Sequence, residues 1–577
     1  MTTRHARLKA TTATVCSAAL LSACTTLPGD SSPEAVSSYS TTPAMEEVIQ
    51  PTKGNPSDLM LRDFFAASAH PLADHEAARR FLTEEASSKW QAQGEVFVLD
   101  KMEIASEGGA SENKITYKVR GSLIGKVGEG GAYTPLFTGY ETTYDLVKVD
   151  GEWRVDQLPN AVIVDRSDFT AAYRPRNLYF VDKQGSTLVP DRRWIYTRQQ
   201  SVAASLVSLL ITGPRTNLSG GVRSMLPAKT TAQTRNLEGR GVSVELTGLT
   251  NLSSAERELL AAQLVWTLAA AEVRGPYELK ADGVALSESV GETWDVDDVS
   301  RFDPRAVATT TLRALIDGNL VDVTSDNGTE ELPGWLNEQY NESASFTPQG
   351  GVFALVTGRG DEKRKLLVGE ENGAPQTALE ADSITRPAWG SSSHFLYAVV
   401  DGRDVVRLDR RDAGAVQRTE VDTSEVTQLD DQGARISVFR VSRDGVRAVL
   451  LINGRVYVSV LESSDSGAPK LGPLTQVGQQ IGDTAISADW TPEGSLLVGT
   501  RAADTPLWTV AMDGSSTAQM PSRNLSAPVV AVAATADQMF ATDARALMQL
   551  DNSTTDASFW REVPSVRGQR AAPILGY

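Results

Sequence analysis

The stretch "SADWTPEGSLLVGTRAADTPLWTVAMDG", residues 487–514, predicts the architecture of the C-terminal half of the chain. An apolar strand ends at Trp490, a Thr-Pro-Glu-Gly turn follows, and a second apolar strand begins at Leu496. Gly494 allows the chain to reverse there, because glycine tolerates positive φ. The same strand–turn–strand pattern recurs in four other stretches: "SASFTPQGGVFALVTG" (343–358), "RPAWGSSSHFLYAVVDG" (386–402), "SVFRVSRDGVRAVLLING" (437–454) and "AVAATADQMFATDARALMQL" (531–550).

The spacing of these stretches predicts a β-propeller rather than the alternative, an all-β sandwich. Phe346, Trp389, Phe439, Trp490 and Val532 occupy equivalent positions and lie 43, 50, 51 and 42 residues apart. A period of 40–50 residues with four short strands per repeat is typical of propeller blades. We expect the aromatic residues at the repeated position to pack between neighbouring blades.

The two ends of this region are expected to share one blade. The C-terminal "AAPILGY" reads as a lone inner strand, and "TTTLRALIDGNLVDV" (309–323) reads as outer strands without an inner one. Together they would complete a sixth blade and satisfy edges that an open ring would leave unpaired. The sequence therefore predicts a β-propeller of about six blades over residues 310–577, closed by strands from both ends.

Residues 51–170 are predicted to form a small α+β domain. "LMLRDFFAASAHPLADHEAARRFLTEEASSKW" (59–90) has apolar residues at helical spacing, and Pro71 predicts a break between two helices. Alternating strands follow, with a hairpin turn at "VDGEW" (149–153). The order of helices and then a meander of strands loosely resembles the nuclear-transport-factor and cystatin-like folds.

Residues 175–290 are predicted to form a second α+β domain with two amphipathic helices. The first helix ends at Gly213-Pro214; the second begins after Ser253 or Ser254 and is expected to stop at Gly275-Pro276. "LYFVD", "LLITGP", "MLPAKT", "VSVELTG" and "AQLVWTL" resemble successive landmarks of the GerMN domain, a module of exported bacterial proteins. The resemblance implies an interaction unit without catalytic residues, followed by a linker over residues 291–309.

The N-terminus has the features of a lipoprotein signal. A basic start at Arg4, Arg7 and Lys9 and a short apolar run precede "LSAC" at 21–24, which resembles the bacterial lipobox. The interpretation is a signal peptide over residues 1–23, lipidation of Cys24 and a Ser/Thr/Pro-rich flexible tether over residues 24–50; the alternative is an ordinary signal peptide that happens to contain two cysteines. Acyl chains on Cys24 would hold the protein at the extracytoplasmic face of the cell membrane without a transmembrane helix.

Charge and residue content argue against nucleic-acid binding and catalysis. The formal charge of −18 becomes −21 once residues 1–23 are removed, because they carry three basic residues and no acidic one, and such a surface repels nucleic acid. Three histidines remain, His70, His75 and His394; the first two lack the i, i+4 spacing of a zinc helix. No G-x-S-x-G elbow occurs. We therefore predict neither an enzyme nor a protein with a metal or small-molecule cofactor.

Two sets of residues keep other functions open. Asp382, Asp444 and Glu493 are acidic residues that could line a propeller channel, as in propeller hydrolases, although they are more typical of turns. Four tryptophans are candidate platforms for cell-wall glycans, with the reservation that the last lies in an apolar helix: Trp90, Trp153, Trp194 and Trp266.

The order of lipobox, α+β domain, GerMN-like domain and TolB-like propeller resembles the actinobacterial LpqB lipoprotein family over essentially the whole mature chain. The resemblance implies an accessory of the MtrAB two-component system. Its partner would be the ectodomain of an MtrB-like sensor histidine kinase, with effects on cell-wall homeostasis and division. The alternative is an envelope lipoprotein that binds peptidoglycan or other glycans and has no signalling role.

Overall fold

The structure is a computed structural model. It describes residues 49–577 apart from residues 110, 228, 250–251, 288, 306–310, 325–327, 348–349, 412–415, 430–432, 463–467, 553–558 and 577. The predicted signal peptide, Cys24 and the tether up to residue 48 lie outside the described residues.

The N-terminal domain packs four short helices against one sheet. The helices are α1 Ser57–Ser68, α2 Leu72–Arg79, α3 Glu84–Lys89 and α4 Arg166–Ala172. The strands are β1 Val96–Ser106, β2 Lys114–Val127, β3 Tyr133–Val149, β4 Glu152–Gln157 and β5 Val162–Asp165. The sheet order is β4-β3-β2-β1-β5; all neighbours are antiparallel except β1 and β5, which are parallel.

The break predicted at Pro71 is confirmed, but the segment 59–90 contains three helices instead of two. Thr83 accepts a hydrogen bond from the Ala86 backbone N–H (3.2 Å) and begins α3 as a new helix. A threonine that caps a helix satisfies one of the unpaired N–H groups of its first turn, so the chain can restart a helix there. Strand β5 and helix α4 are not among the elements predicted from the sequence; β5 returns the chain to the edge of the sheet.

The second domain packs two small sheets around a helix whose central part is buried. Its elements are β6 Tyr173–Asp182, β7 Leu188–Tyr196, α5 Val202–Thr212, β8 Val222–Arg223, β9 Thr231–Asn236, β10 Val242–Thr247, α6 Ser254–Ala270, β11 Tyr277–Ala281, β12 Val284–Ala285 and β13 Thr293–Trp294. One sheet has the order β7-β6-β8; the other has the order β12-β11-β10-β9, with β13 paired to β11. Every residue of α6 from Leu259 to Leu268 is buried, so this helix is the centre of the domain.

Helix α6 begins as the sequence predicts and ends earlier. Ser253 is the N-cap and forms a capping box with Glu256, in which each side chain bonds the other residue's backbone N–H. The expected stop at Gly275-Pro276 is wrong, because the helix ends at Ala270 and Glu272 already adopts a positive φ of 64°. Residues 291–302, part of the predicted linker, carry β13 and the 3-10 segment Val296–Phe302, with Trp294 and Val299 buried in the core of this domain.

The C-terminal region consists of six sheets in succession, whereas a sandwich would have two. The strands of the first three sheets along the chain are β14 Arg313–Ile316, β15 Asn319–Val323, β16 Thr329–Glu331, β17 Asn341–Phe346, β18 Val352–Thr357, β19 Arg364–Glu370, β20 Gln376–Ala381, β21 Ala388–Trp389, β22 Phe395–Val400, β23 Asp404–Asp409 and β24 Gln417–Glu420. Helix α7, Ser424–Leu429, follows. The remaining strands are β25 Ile436–Val441, β26 Arg447–Ile452, β27 Arg455–Glu462, β28 Lys470–Leu471, β29 Thr475–Gln476, β30 Ala485–Trp490, β31 Leu496–Thr500, β32 Leu507–Val510, β33 Thr517–Gln519, β34 Ala531–Ala534, β35 Gln538–Thr542, β36 Leu547–Asp551, β37 Arg561–Glu562 and β38 Ala572–Ile574.

The repeated sequence positions coincide with the first strand of successive sheets. Phe346, Trp389, Phe439, Trp490 and Val532 lie on β17, β21, β25, β30 and β34, and all five are buried. The side chains of these strands contribute to apolar clusters that lie between neighbouring sheets. This placement explains why large apolar residues recur there at the period of the repeat.

Strands from both ends of the region share one sheet. Its order is β16-β15-β14-β38, and β38 is antiparallel to β14 with Ala314 opposite Pro573. The C-terminal strand therefore covers an edge of β14 that would otherwise present unpaired backbone groups.

Candidate functional site

The three histidines of the mature chain, His70, His75 and His394, lie in different surroundings. His75 is 4% exposed and packs against the Trp90 ring (5.8 Å between centroids), and burial lowers the pKa of His75 to about 4. His70 bonds the Tyr196 hydroxyl through Nδ1 (2.8 Å), and burial lowers its pKa as well. His394 is exposed in a turn. Within the described ranges, no three His, Cys, Asp or Glu side chains form a group that could hold a metal ion.

The three acidic candidates lie in turns of the C-terminal region of six sheets, residues 303–577, which we call the propeller region. Asp444 accepts hydrogen bonds from the Val446 N–H (2.9 Å) and from Arg447 Nη1 (3.2 Å), so its carboxylate stabilises its own turn. Asp382 and Glu493 are exposed. Nothing in these contacts pairs two carboxylates for acid–base chemistry.

Three of the four candidate tryptophans have no open face for a sugar ring. Trp90 and Trp266 are 4% exposed, and their Nε1 groups donate to the Ala161 and Val299 carbonyls (both 3.2 Å). Trp194 is 9% exposed and packs in the N-terminal core. Trp153 is half-buried, with Lys148 Nζ 5.2 Å from its ring centroid. These four tryptophans therefore give little support to the glycan-binding alternative.

The most developed polar arrangement is one that the sequence analysis missed, a buried ionic cluster where the three domains meet. We call it the junction cluster; it consists of Asp191, Arg192, Arg193, Arg215, Asp444, Arg447 and Asp513. Strand β7 carries the first three, Arg215 follows α5, and the last three come from turns and a strand of the propeller region. Because each domain contributes to the contacts described below, no local sequence pattern marks the cluster.

Asp191 is the centre of the cluster within the second domain. Its Oδ2 accepts from Arg193 Nη2 (2.8 Å) and from the Arg215 N–H (3.0 Å), and its Oδ1 lies 2.7 Å from Arg215 Nε. Burial alone would raise the pKa of Asp191, but Arg215 and Arg193 together hold it below its usual range. Arg193 Nη1 also donates to the Gly130 carbonyl of the N-terminal domain (3.0 Å). The Asp191 carboxylate thus orients the Arg193 guanidinium, which joins the second domain to the N-terminal domain.

Two further contacts join the second domain to the propeller region. Arg447 is 3% exposed in its side chain, pairs with Asp444 and donates to the Pro190 carbonyl. The fully buried Asp513 carboxylate lies 3.5 Å from Arg192 Nε and 3.4 Å from Trp194 Nε1. Breaking a buried pair by removing one partner costs about 3–5 kcal/mol, because the other charge remains unpaired.

Apolar packing surrounds the cluster. Val446 and Val460 of the propeller region belong to the same core as α6 and β10, and Trp194 and Tyr196 of β7 belong to the N-terminal core. A Cβ on Gly221 would lie 2.5 Å from Val446 Cγ1 and 2.8 Å from Val460 Cγ1. Residues 49–577 accordingly form one compact body.

A cleft of about 460 Å³ opens beside the junction cluster, between the second domain and the propeller region. Tyr179 and Pro190 form one wall, and Ser442, Trp490 and Glu493 form the other. Clefts of this size between domains are common binding sites.

Family comparisons match all three domains of this architecture. Residues 50–170 match the model described as the lipoprotein LpqB N-terminal domain, residues 177–287 match Germane (sporulation and spore germination), and residues 318–576 match the lipoprotein LpqB beta-propeller domain. The chain is thus a multidomain protein of the lipoprotein class, with an N-terminal domain, a Germane domain and a propeller-type domain.

Relatives narrow the class to one family. A protein of Corynebacterium jeikeium named Lipoprotein LpqB is 49% identical over 559 residues, which cover 96% of this chain and 95% of that protein. Proteins of the same name from Rhodococcus opacus and Corynebacterium diphtheriae are each 36% identical, with at least 96% of each chain covered. The chain belongs to the LpqB lipoprotein family. None of these names or domain descriptions specifies an enzymatic activity.

No helix within the described ranges has the length and apolar character needed to cross a membrane.

Proposed function

We propose that this protein is exported, cleaved before Cys24 and held at the extracytoplasmic face of the cell membrane by acyl chains on that cysteine. The lipobox "LSAC" (21–24) and membership of the LpqB lipoprotein family support the proposal. Two or three acyl chains give stable attachment, since each buried CH₂ contributes about 0.8 kcal/mol.

Fractionation of cells tests the anchor. Cys24→Ala should move the protein from the membrane fraction to the medium or leave it as the uncleaved precursor, and Cys16→Ala is the matched control that should stay membrane-bound. Mass spectrometry of the mature N-terminus should find a lipid-modified Cys24. An unmodified N-terminus on protein that remains in the membrane fraction would contradict the proposal.

We further propose that the anchored body binds the ectodomain of an MtrB-like sensor kinase and modulates MtrAB signalling. Family membership carries this proposal, and the junction cluster supports it because its contacts between the domains, such as Arg193 with Gly130 and Arg447 with Pro190, favour one continuous surface toward a receptor. The mechanism is binding alone: a partner with different affinity for two receptor states shifts the balance between them. Cell-wall homeostasis and division would respond through that shift.

The propeller region is the proposed contact. We propose that its six sheets form a closed ring of six blades, which presents turns on two opposite faces. Residues 303–577 carry 36 acidic and 24 basic residues, whereas residues 173–302 carry 14 and 15. Residues 51–172 carry 19 and 13, so the propeller region has the largest net negative charge of the three domains, −12, and a basic receptor surface would be attracted to it.

Binding of the full chain in detergent to purified kinase ectodomain tests the second proposal. We expect saturable binding whose association rate falls as salt rises from 50 to 300 mM, because salt screens attraction between exposed charges. Absence of binding at micromolar ectodomain concentration would refute it. Sedimentation with purified cell wall, without ectodomain binding, would instead favour the glycan-binding alternative.

A further inference from the structure

The turns of the propeller region lie at two opposite ends of its six sheets. We count the strands of each sheet from β38, β17, β21, β25, β30 and β34. Turns between the first and second strands, and between the third and fourth, lie at one end, which we call the docked end. Turns between the second and third strands lie at the other, which we call the distal end; they are residues 317–318, 358–363, 401–403, 453–454, 501–506 and 543–546.

The other two domains contact the propeller region at the docked end. Val446 packs in the core of the second domain, Arg447 donates to the Pro190 carbonyl, and Asp513 lies beside Arg192 of β7. All three propeller residues belong to docked-end turns or to the strand residue next to one. The turns of the distal end therefore take no part in these contacts.

Turns at the distal end are fastened to two neighbouring strands. Asp401 Oδ1 accepts a hydrogen bond from the Ser383 N–H, shortly before β21 (2.9 Å). The Gly402 carbonyl accepts from the Ile436 N–H of the next sheet (2.9 Å). The turn at 453–454 repeats both bonds, at 3.2 and 3.0 Å. Turns that are held on both sides keep their shape when a partner binds, so binding costs little conformational entropy.

An exposed pair of tyrosine and arginine lies at the distal end, between the first two sheets. Tyr340 immediately precedes β17 and is 41% exposed. Its ring lies against Gly318, where a Cβ would be 2.3 Å from Tyr340 Cδ2, and Arg359 Cζ lies 4.9 Å from the ring centroid. Tyrosine and arginine are enriched among the residues that dominate binding energy at protein interfaces. Because its neighbours already hold the ring, a partner that covers it immobilises little new freedom.

The charged residues around this pair are mostly acidic. Five carboxylates and three basic groups lie in the turns and strand ends beside Tyr340, which gives a net charge of −2. They are Asp317, Glu338, Glu342, Asp361 and Glu362, with Arg359, Lys363 and Arg364. A polar rim around an aromatic anchor is the usual anatomy of an interface, and this rim is complementary to a basic partner surface.

We propose that the distal end of the propeller region is the surface that binds the receptor ectodomain, with Tyr340 and Arg359 as its central contact. The inference rests on the proposed function and names the surface through which that function acts. A basic patch of the ectodomain packs on the Tyr340 ring and faces the surrounding carboxylates. The N-terminal and second domains, which occupy the docked end, remain clear of the partner.

Binding of the full chain in detergent to purified kinase ectodomain tests the surface with matched substitutions at the two ends. Tyr340→Ala should weaken binding about 10-fold or more. Phe559→Ala, which removes an aromatic ring that is 58% exposed in a docked-end loop, should bind as wild type. Asp361→Lys should slow association about 3- to 10-fold at 50 mM salt and less at 300 mM, because salt screens the added repulsion. Asp537→Lys, in an exposed docked-end turn, should leave the association rate unchanged.

Footprinting of the wild-type complex locates the surface without any variant, in case Tyr340→Ala fails to fold. Hydroxyl radicals should oxidise Tyr340 more slowly in the complex than in the free protein, and Phe559 equally in both. Binding of wild type with Tyr340 unprotected, or with equal affinity in Tyr340→Ala, would overturn this inference and leave the proposed function standing. Absence of binding by wild type would refute both.

Discussion

Protonation of His75 should destabilise the N-terminal domain as the pH falls below neutrality. The pKa of this imidazole is lowered from 6.5 to about 4, chiefly by burial; the backbone of Ser68 and Asp74 oppose the shift, and Arg79 and His70 reinforce it. Its Nδ1 has no hydrogen-bond partner in the structure. The folded state therefore holds this histidine neutral at a pH where the unfolded chain has already bound a proton.

The direction and size of this change in folding stability follow from proton linkage. Stability is unaffected well above pH 6.5, falls as the pH drops from 6.5 towards 4, and levels off below 4, because the folded state binds fewer protons throughout that window. With pKa values of 6.5 and about 4, the loss between pH 7 and pH 5 is about 2 kcal/mol, and the limiting loss is about 3 kcal/mol. This is a large share of the stability of a typical domain.

The assay compares wild type with His75→Gln, because other groups also titrate over this range. Hydrogen exchange of the core strands β1 and β2 reports opening of the N-terminal domain alone. We expect the wild type to lose about 2 kcal/mol more than His75→Gln between pH 7 and pH 5. His394→Gln, which removes an exposed histidine, should behave as wild type. An NMR titration that gives His75 a pKa near 6.5, or equal losses in wild type and His75→Gln, would refute the reasoning.

Three other substitutions or truncations test the packing. Asp191→Asn should lower the free energy of unfolding by about 3 kcal/mol, because Arg193 and Arg215 lose a buried partner; an unchanged urea midpoint would contradict this. Gly221→Ala should loosen the docking of the second domain, measured as faster hydrogen exchange at β26 and β27. The control variant Gly139→Ala, where a Cβ meets nothing within 4 Å, should leave hydrogen exchange at β26 and β27 unchanged. Equal exchange in both variants would show that the close contact of Gly221 with Val446 and Val460 is dispensable. Removal of residues 571–577 exposes the edge of β14 and should cause concentration-dependent association in light scattering, and a monodisperse truncated chain would argue against the edge role of β38.

The propeller repeats were predictable because each blade solves the same packing problem with local residues. Phe346 to Val532 mark successive sheets through a spacing that is visible in the chain itself. Pairing of β38 with β14 was also inferable, since a lone strand at one end and unpaired strands at the other leave few alternatives. The ends of helices were harder to predict from the sequence. The C-terminal end of α6 depends on the conformation of Glu272, whereas Gly275-Pro276 is the stronger sequence signal for a helix end.

The junction cluster could not be predicted, because the contacts that join its domains connect residues that are distant in sequence and lack a shared pattern. Arg447 and Pro190 are 257 residues apart, and Trp194 and Asp513 are 319 apart. Trp194 was therefore grouped with possible sugar-binding residues, although it closes the N-terminal core. Buried charges are normally rare, so a sequence-based interpretation assigns an aspartate or arginine to the surface by default.

The shared sheet of β14 and β38 imposes an order in time on the synthesis of the protein. Strands β14, β15 and β16 leave the ribosome about 240 residues before β38, which is roughly 10–50 s at ordinary elongation rates. Throughout that interval the backbone groups along one edge of β14 are unpaired and can bond a strand from another chain. Chaperone protection of nascent residues 313–331 would matter most in this window, and slow elongation of the final blades would prolong the risk.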